Sequence, residues 1–403
     1  MAGRAGRKGE GAAAVFAAFL RLGLTSFGGP VAHLAYFRDE FVARRGWIAE
    51  RDYADLVALC QFLPGPASSQ VGIALGLRRA GYAGALAAWA GFTLPSALAL
   101  AAFALAVRSR PDLLPQDALQ GLKLAAVAVV AHAVWSMARS LCRDAAHLTL
   151  MAAAACAVWL APSALTQFAV IVGGAVAGAW IGTPRAARAG GEPAFGPSRG
   201  VAVGALAAFA SLLVVLPWLA SRADAALASV VDAFYRTGSL VFGGGHVVLP
   251  LLRAEVVDAG WVDAGTFLAG YGAAQAVPGP LFTFAAFLGA SLPAPLGGWT
   301  GAAAALVAIF VPSFLLVVGA LPFWERWKRS ATAQKLLSGV NAAVVGLLLA
   351  ALYDPVWTAA VLSARDAAVA LAAFVALVFW RVPAWAVVPA SGMLAALLAL
   401  LPP

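Results

Sequence analysis

Apolar segments that approach the thickness of a bilayer recur along most of this chain. About 20 residues of helix cross a hydrocarbon core of about 30 Å. Because backbone polar groups inside a bilayer must be paired within the protein, such segments predict helices. We therefore expect an all-α polytopic membrane protein with about nine full spans, near residues 82–107, 118–141, 146–161, 163–182, 200–220, 296–321, 335–353, 366–381 and 384–401.

The composition agrees with a membrane protein. Hydrophobic residues make up 63% of the chain and charged residues only 11%, whereas about a quarter of residues are charged in soluble proteins. The net charge of +9 comes from basic residues scattered among short loops, so we expect no nucleic-acid partner. The three cysteines lie in apolar runs without metal-ligand spacing, which predicts no metal site and no cofactor.

Other apolar segments are too short to span a bilayer alone. Four lie near residues 12–26, 31–43, 51–62 and 67–80, and the sequences FGGP and LPGP interrupt them. Proline and glycine in these positions break helices. We expect broken helices that form re-entrant hairpin segments.

The broken segments belong to an internal repeat. A shift of 215 positions superposes the FGG at Phe27 on the FGG at Phe242, and after a one-residue gap the same Pro-Gly-Pro recurs. Self-similarity of this kind indicates a duplicated structural unit. We predict a first repeat over residues 1–182, a cytoplasmic loop and linker transmembrane helix over 183–222, and a second repeat over 223–403.

The distribution of charge predicts that the two repeats are inverted. Lys and Arg in short loops favour the cytoplasm, and with the amino terminus placed there, 19 of the 27 basic residues fall on that side. Each repeat has an even number of full spans, so the additional helix at 200–220 reverses the second one. Inverted repeats with broken helices are typical of secondary transporters, whose binding sites lie where the broken ends meet.

The breaks themselves are candidate anion sites. First-turn N–H groups of a helix have no intrahelical partner, and with the helix dipole they favour an anion. A kink that serves only packing is the alternative. The substrate-binding candidates at and beside the breaks are Gly28, Gly29, Gln61, Pro64, Gly65, Pro66, Ser68, Ser69, Gly243, Gly244, Gln275, Pro278, Gly279, Pro280 and Thr283.

Two arginines in apolar sequence are further substrate-binding candidates. Arg21 and Arg236 each precede an FGG by six positions. Intramembrane arginine is costly, so a functional role is expected by default. Two arginines from opposite repeats would balance a dianion; a structural ion pair or a snorkelling side chain is the alternative.

Three other ionisable residues are candidates for ion coupling. Glu40 and Glu255 could carry a coupled proton, or each could form a structural salt bridge. Lys123 is a third intramembrane cation that could instead snorkel. His33 and His246 do not align between the repeats, which favours ordinary interfacial histidines over a proton relay.

The sequences FGGP, FRDEFV, RRGWI, LCQFLPGP, FGGGHVVLPLLRAEVV and YGAAQAVPGP resemble the chromate ion transporter family, in its long two-domain form. The resemblance covers nearly the whole chain. It implies a multi-pass carrier of the bacterial cytoplasmic membrane that exports chromate and confers resistance, driven by the proton-motive force or by exchange. Implied partners are chromate, sulfate as a competing substrate, protons and membrane lipid, with a homodimer as an option.

Two other classes of function stay open. One is an exchanger or channel for sulfate or another oxyanion. The other is a membrane enzyme that acts on an anionic lipid, although the chain has no GxxxxGK[ST], HExxH or GxSxG motif and no nucleophile paired with a base. We therefore expect a transporter and not an enzyme.

Overall fold

The computed structural model of the protein describes residues 11–110, 116–182, 196–222, 226–242, 245–324 and 330–400, and this part of the chain is predominantly helical with no β-strand. The first eight helices are α1 Ala12–Thr25, α2 Gly29–Phe37, α3 Glu50–Phe62, α4 Ala67–Ser109, α5 Gln116–Leu141, α6 Ala145–Leu160, α7 Ala164–Ile181 and α8 Arg199–Ala220. A wider π-helical segment, Arg38–Arg44, extends α2.

The other helices are α9 Ala226–Leu240, α10 Val248–Val256, α11 Ala264–Ala276, α12 Phe284–Ser291, α13 Gly298–Ala320, α14 Ala331–Ala351, α15 Ala364–Val378 and α16 Ala384–Ala399. Single 3₁₀ turns precede α10 and α12, at Gly245–Val247 and Leu281–Thr283. The all-helical prediction is confirmed for the described residues.

Five helical stretches are long and apolar enough to cross a membrane. They are Ala67–Ser109, Gln116–Leu141, Arg199–Ala220, Gly298–Phe323 and Ala331–Ala360. Each of them overlaps one of the predicted spans. The four remaining predicted spans correspond to α6, α7, α15 and α16, which are shorter helices of 16, 18, 15 and 16 residues. The count of nine full spans therefore stays a prediction.

The predicted helix breaks are confirmed. α3 ends at Phe62 and α4 begins at Ala67, while α11 ends at Ala276 and a new 3₁₀ turn begins at Leu281. The central glycines of the two Pro-Gly-Pro sequences have φ of 117° at Gly65 and 102° at Gly279. Glycine adopts this region without the steric cost of a Cβ, which is why the turn can form between two prolines.

α4 consists of two arms that fold back on each other. Its backbone leaves the helical region at Ala80 and Gly81, and a Cβ on Gly76 would clash with the carbonyl group of Gly84. Helices α12 and α13 pack in the same way, since a Cβ on Gly289 would clash with the carbonyl group of Gly301. Small residues let membrane helices approach closely, and the same approach occurs in both halves of the chain.

The halves also exchange helices. Gly121 on α5 packs against Gly392 on α16, and Gly339 on α14 packs against Gly174 on α7. Gly121 and Gly339 stand 218 positions apart, as do Gly174 and Gly392. Each contact therefore joins a helix of one half to the last helix of the other, so the halves interlock and do not form separate bodies.

Candidate functional site

Two backbone hydrogen bonds join the Pro-Gly-Pro turns to the helix ends of the opposite half. The Gly65 N–H donates to the Val241 carbonyl oxygen at 2.7 Å, and the Gly279 N–H donates to the Ser26 carbonyl oxygen at 3.0 Å. Val241 and Ser26 directly precede the two FGG sequences. The Pro-Gly-Pro turn of each half is therefore bonded to the residue before the FGG sequence of the other half.

A cavity lies beside the break at the start of α2 and the Pro-Gly-Pro before α12, and we call it the break cavity. Its volume is about 420 Å³, within the range of small-molecule sites. One wall is the start of α2 and another is the Pro-Gly-Pro before α12; the turn between α15 and α16 adds a third. The residues that line it are Gly28, Gly29, Pro30, Val129, His132, His246, Ala274, Gln275, Val277, Gly279, Leu281, Leu377, Val378, Arg381, Val382, Pro383 and Ala384.

The polar groups of the break cavity suit an anion. Arg381 and the imidazoles of His132 and His246 line it, together with the Gln275 amide, and the described lining residues include no carboxylate. At its edge α2 begins at Gly29 with no side chain capping its first turn, so the first-turn N–H groups, apart from Pro30 which has none, keep their capacity to donate. Nδ1 of His246 lies 2.8 Å from the hydroxyl oxygen of Tyr271, which orients the ring.

The Pro-Gly-Pro before α4 has a different environment, in which buried polar side chains surround the turn. Gln70 spans this turn, because its Nε2 donates to the Pro64 carbonyl oxygen at 2.6 Å. A Cβ on Gly65 would lie 2.7 Å from Gln70 Nε2 and 2.8 Å from Ser313 Oγ. Gln70 Oε1, Ser69 Oγ and Ser313 Oγ are buried without a partner in the described part of the chain. This turn is packed around polar side chains and does not open into the break cavity.

The remaining candidates beside the breaks are not equivalent between the halves. Gln61 is exposed, whereas Gln275 lines the break cavity. Ser68 Oγ lies 3.4 Å from His33 Nδ1, and the hydroxyl group of Thr283 donates to the Pro280 carbonyl oxygen within its own turn. Pro66 and Pro280 precede the new helices, and Pro64 and Pro278 precede the two glycines. Gly243 and Gly244 lie outside the described residues.

The two intramembrane arginines do not line the break cavity. Arg21 is exposed on α1, and its guanidinium group has no ion pair or hydrogen bond among the described residues. Arg236 on α9 instead forms ion pairs, at 2.8 Å with Asp232 and 3.0 Å with Glu255. Equivalent sequence positions therefore have different surroundings, and the expected pair of arginines around one anion is not assembled here.

Glu40 is engaged by neighbouring arginines. Its carboxylate lies 2.9 Å from Arg44 Nη1 and 2.6 Å from Arg45 Nε, beyond the end of α2. Burial by itself raises the pKa of Glu40, but the hydrogen bonds from Arg45 and Arg44 outweigh it and hold the pKa below its usual range. Glu40 is therefore an ion-paired carboxylate, as the structural alternative supposed.

Lys123 faces a second cavity, of about 410 Å³, between α5 and the start of α11. Asp117 and Asp263 line the same space. The Asp263 carboxylate caps α11 by accepting from the Thr266 N–H at 2.9 Å. With two carboxylates beside one ammonium group, this cavity suits an anion less well than the break cavity does.

Several residues at these sites were not sequence candidates. His132 lies within α5 and Arg381 lies in the turn between α15 and α16, both far from any break in sequence, and only the tertiary packing brings them to the cavity. Gln70 lies six positions after Pro64, but the matching position of the other repeat is Phe284 and not a glutamine. Asp232 is an acidic residue four positions before Arg236 in apolar sequence, and that i, i+4 spacing was a usable signal.

Most of the chain is similar to one family of known proteins. The family profile described as Chromate transporter matches residues 13–179 and 228–397. The chain belongs to the chromate transporter family. The resemblance found in the sequence is thereby confirmed, and the two matched stretches leave out only the termini and the region around α8.

Named relatives agree with this membership. A chromate transport protein of Pseudomonas aeruginosa is 30% identical over 84% of this chain and 80% of its own length. A chromate transport protein of Cupriavidus metallidurans is 28% identical over 83% and 80%. An uncharacterized transporter of Methanocaldococcus jannaschii is 26% identical over 85% and 84%. These names are consistent with a membrane transporter and not with an enzyme. No solved structure matches the chain.

Proposed function

We propose that this chromate transporter family member is a secondary transporter that exports chromate across the bacterial cytoplasmic membrane, and that the break cavity binds the anion. The observation that carries the proposal is the lining of that cavity. It combines Arg381, two imidazoles and an uncapped helix start without a carboxylate, whereas acidic side chains line three other cavities of the described chain.

The recognition chemistry follows from these donors. A tetrahedral oxyanion leaving water must recover its hydration from N–H groups and positive charge. First-turn N–H groups and the positive end of the α2 dipole supply part of this. When the Tyr271 hydroxyl donates to Nδ1 of His246, the neutral ring carries its proton on Nε2, which becomes a donor for the anion. Arg381 adds a full charge and a planar fork.

Alternating access is proposed to use the two halves as inverted repeats. The reciprocal bonds of Gly65 and Gly279, and the exchanged helices of the two halves, support a two-fold relation between them. The excess of basic residues on the amino-terminal side supports an axis in the membrane plane. The amino terminus is then cytoplasmic.

The direction of transport is proposed from electrostatics. Moving two negative charges out of a cell that is negative inside releases about 4.6 kcal/mol per 100 mV, at about 2.3 kcal/mol for each charge. Export therefore needs no ATP, and by lowering the internal concentration of chromate it gives resistance. An antiport mechanism with a coupling ion would add to this driving force.

The test is uptake of radiolabelled chromate into inside-out vesicles that contain the protein, with unlabelled sulfate as competitor. Saturable uptake that depends on the protein, and that chromate inhibits more strongly than sulfate, is expected. Equal or stronger inhibition by sulfate would favour the sulfate-exchanger alternative. Non-saturable flux would indicate a channel, and absence of protein-dependent flux would refute the proposal. Vesicles with an unrelated membrane protein at equal level are the control.

A further inference from the structure

A third cavity, away from the break cavity, is lined by an arginine that forms ion pairs with two carboxylates. Its volume is about 280 Å³, and Gln167, Arg236, Thr237 and Glu255 line it together with Leu165, Phe168, Leu240, Leu251 and Ala254. One nitrogen, Nη2 of Arg236, lies 2.8 Å from Asp232 Oδ2 and 3.0 Å from Glu255 Oε2. The two carboxylate oxygens are therefore at most 5.8 Å apart, the sum of those two distances. We call these three residues the acid–arginine triad.

The charges of the triad do not balance when both acids are ionised. One guanidinium group then faces two carboxylates, which leaves one net negative charge. The side chains of Asp232 and Glu255 are only 8% and 16% exposed. Because an uncompensated charge is costly in an apolar interior and like charges repel at short range, one bound proton is the simplest way to neutralise the triad.

No other charged group supplies that compensation in the described chain. α7 and α13 contain no ionisable side chain, and Arg199 is the ionisable residue of α8, at its far end. Lys335 of α14 lies beside Gly182, at the opposite end of α7 from the residues that line the cavity. On α9 the Tyr235 hydroxyl donates to the Phe209 carbonyl oxygen. On α10 Arg253 pairs with Asp258 and Asp354 instead.

Two buried polar side chains point to a ligand at the same place. Thr237 is 1% exposed and Gln167 is 8% exposed, and both line this cavity. Thr237 Oγ1 and Gln167 Oε1 have no hydrogen-bond partner in the part of the chain that is described, and neither does Nε of Arg236. Buried polar atoms are normally paired, so donors and acceptors remain here for a proton-bearing species such as water or hydronium.

The first half of the chain lacks this arrangement. The position that matches Asp232 is Ala17, 215 residues earlier. Arg21 matches Arg236 but is exposed, and Glu40 matches Glu255 but is held by Arg44 and Arg45. A purely structural ion pair would serve both halves equally, whereas a coupling site is needed once per transporter.

We propose that the acid–arginine triad is the proton site of this transporter: one proton binds to the Asp232–Glu255 carboxylate pair from one aqueous side and is released to the other, in exchange for the anion. The step forms and breaks only an O–H bond. This inference rests on the proposed transport function. It assigns the coupling ion and its residues, and places them apart from the break cavity.

The experiment compares two assays in proteoliposomes that contain the wild type, Asp232→Asn or Glu255→Gln. The first is chromate accumulation driven by a pH gradient, and the second is chromate–chromate counterflow without a gradient. Neutralising either acid should lower gradient-driven accumulation about tenfold, within the usual range of coupling free energies, and leave counterflow largely intact. Glu50→Gln, which removes the exposed ion pair with Arg38, is the matched control and should retain the gradient response.

Three outcomes would overturn the inference. Variants that still accumulate chromate in response to the gradient would show that the triad carries no proton. Loss of both assays in both variants would assign the triad a structural role. A wild type that catalyses counterflow but ignores the gradient would exclude proton coupling, while absence of counterflow in the wild type would refute the proposed function itself.

Discussion

Pro30 packs against Gly245, its own counterpart in the other half of the chain. A Cβ on Gly245 would lie 3.5 Å from Pro30 Cγ, and the two residues stand 215 positions apart. In a two-fold arrangement a residue meets its own equivalent only close to the axis. If the halves are related as proposed, the axis passes beside the break cavity, which Pro30 lines. A cavity on such an axis is reached equally from either half, as alternating access requires.

Replacing Gly279 or Gly65 by leucine should abolish chromate transport while the protein still reaches the membrane. Both glycines have φ above 100°, and a Cβ on Gly279 would lie 2.8 Å from Ser96 Oγ. The side chain would both strain the turn and occupy the space where the two halves meet. Vesicle uptake is the measurement. The control is Gly46→Leu, since Gly46 has φ of 60° with nothing within 4 Å. Near-normal flux in Gly279→Leu would show that this break serves only helix packing.

Replacing His246 by phenylalanine should weaken chromate binding about tenfold or more, since a hydrogen bond to a charged group contributes about 1.5–3 kcal/mol. Tyr271→Phe should have a smaller effect of the same sign, because the ring would lose only the hydroxyl group that orients it. Isothermal titration calorimetry with the purified proteins measures the chromate affinity of both variants. His147→Gln, at the start of α6 beside Asp144, is the control. Unchanged affinity in His246→Phe would remove this imidazole from the site.

The two arginines should respond differently to replacement by alanine. Arg236→Ala leaves two largely buried carboxylates without their donor and should lower the free energy of unfolding by about 1–3 kcal/mol. Arg21→Ala should have little effect on stability, because Arg21 is exposed and has no described partner. Thermal unfolding in detergent, monitored by intrinsic tryptophan fluorescence, compares the stability of the two variants. Equal destabilisation by both replacements would mean that the halves are more alike than their contacts indicate.

The ends of α8 should lie on opposite sides of the membrane. We expect Gly196 in the cytoplasm and Ser221 outside, because this helix is proposed to reverse the second half. Gly196→Cys and Ser221→Cys, each in a background without Cys60, Cys142 and Cys156, are labelled in whole cells with an impermeant thiol reagent. Gly196 has no neighbour closer than 3.8 Å to an added Cβ, so the cysteine fits. Labelling of Gly196→Cys alone would refute the inverted arrangement.

The sequence was informative wherever a local rule determines the structure. Proline and glycine chemistry predicted the breaks at Gly65 and Gly279, and periodic matching predicted the repeat. It did not predict the tertiary contacts of each residue. Identical motifs indicated equivalent sites, but Arg21 and Arg236 differ because Asp232 is present in one half only.

The sequence also could not predict the residues that complete the break cavity, because tertiary packing brings them there. Arg381 follows α15 and His132 lies within α5, and neither stands near a Pro-Gly-Pro in sequence. They reach the cavity because the last helices of the second half pack on α5 of the first half. Helix exchange of this kind is a property of tertiary packing, which hydropathy does not encode.

The position of bound chromate tests the central claim most directly. Crystals of the protein grown with chromate would be measured at the chromium absorption edge, and the anomalous difference map would locate the metal atom. We predict one peak in the break cavity, placed so that the surrounding chromate oxygens accept hydrogen bonds from the α2 start, His246 and Gln275. A peak beside Lys123 or in the acid–arginine triad cavity, with none in the break cavity, would contradict the assignment.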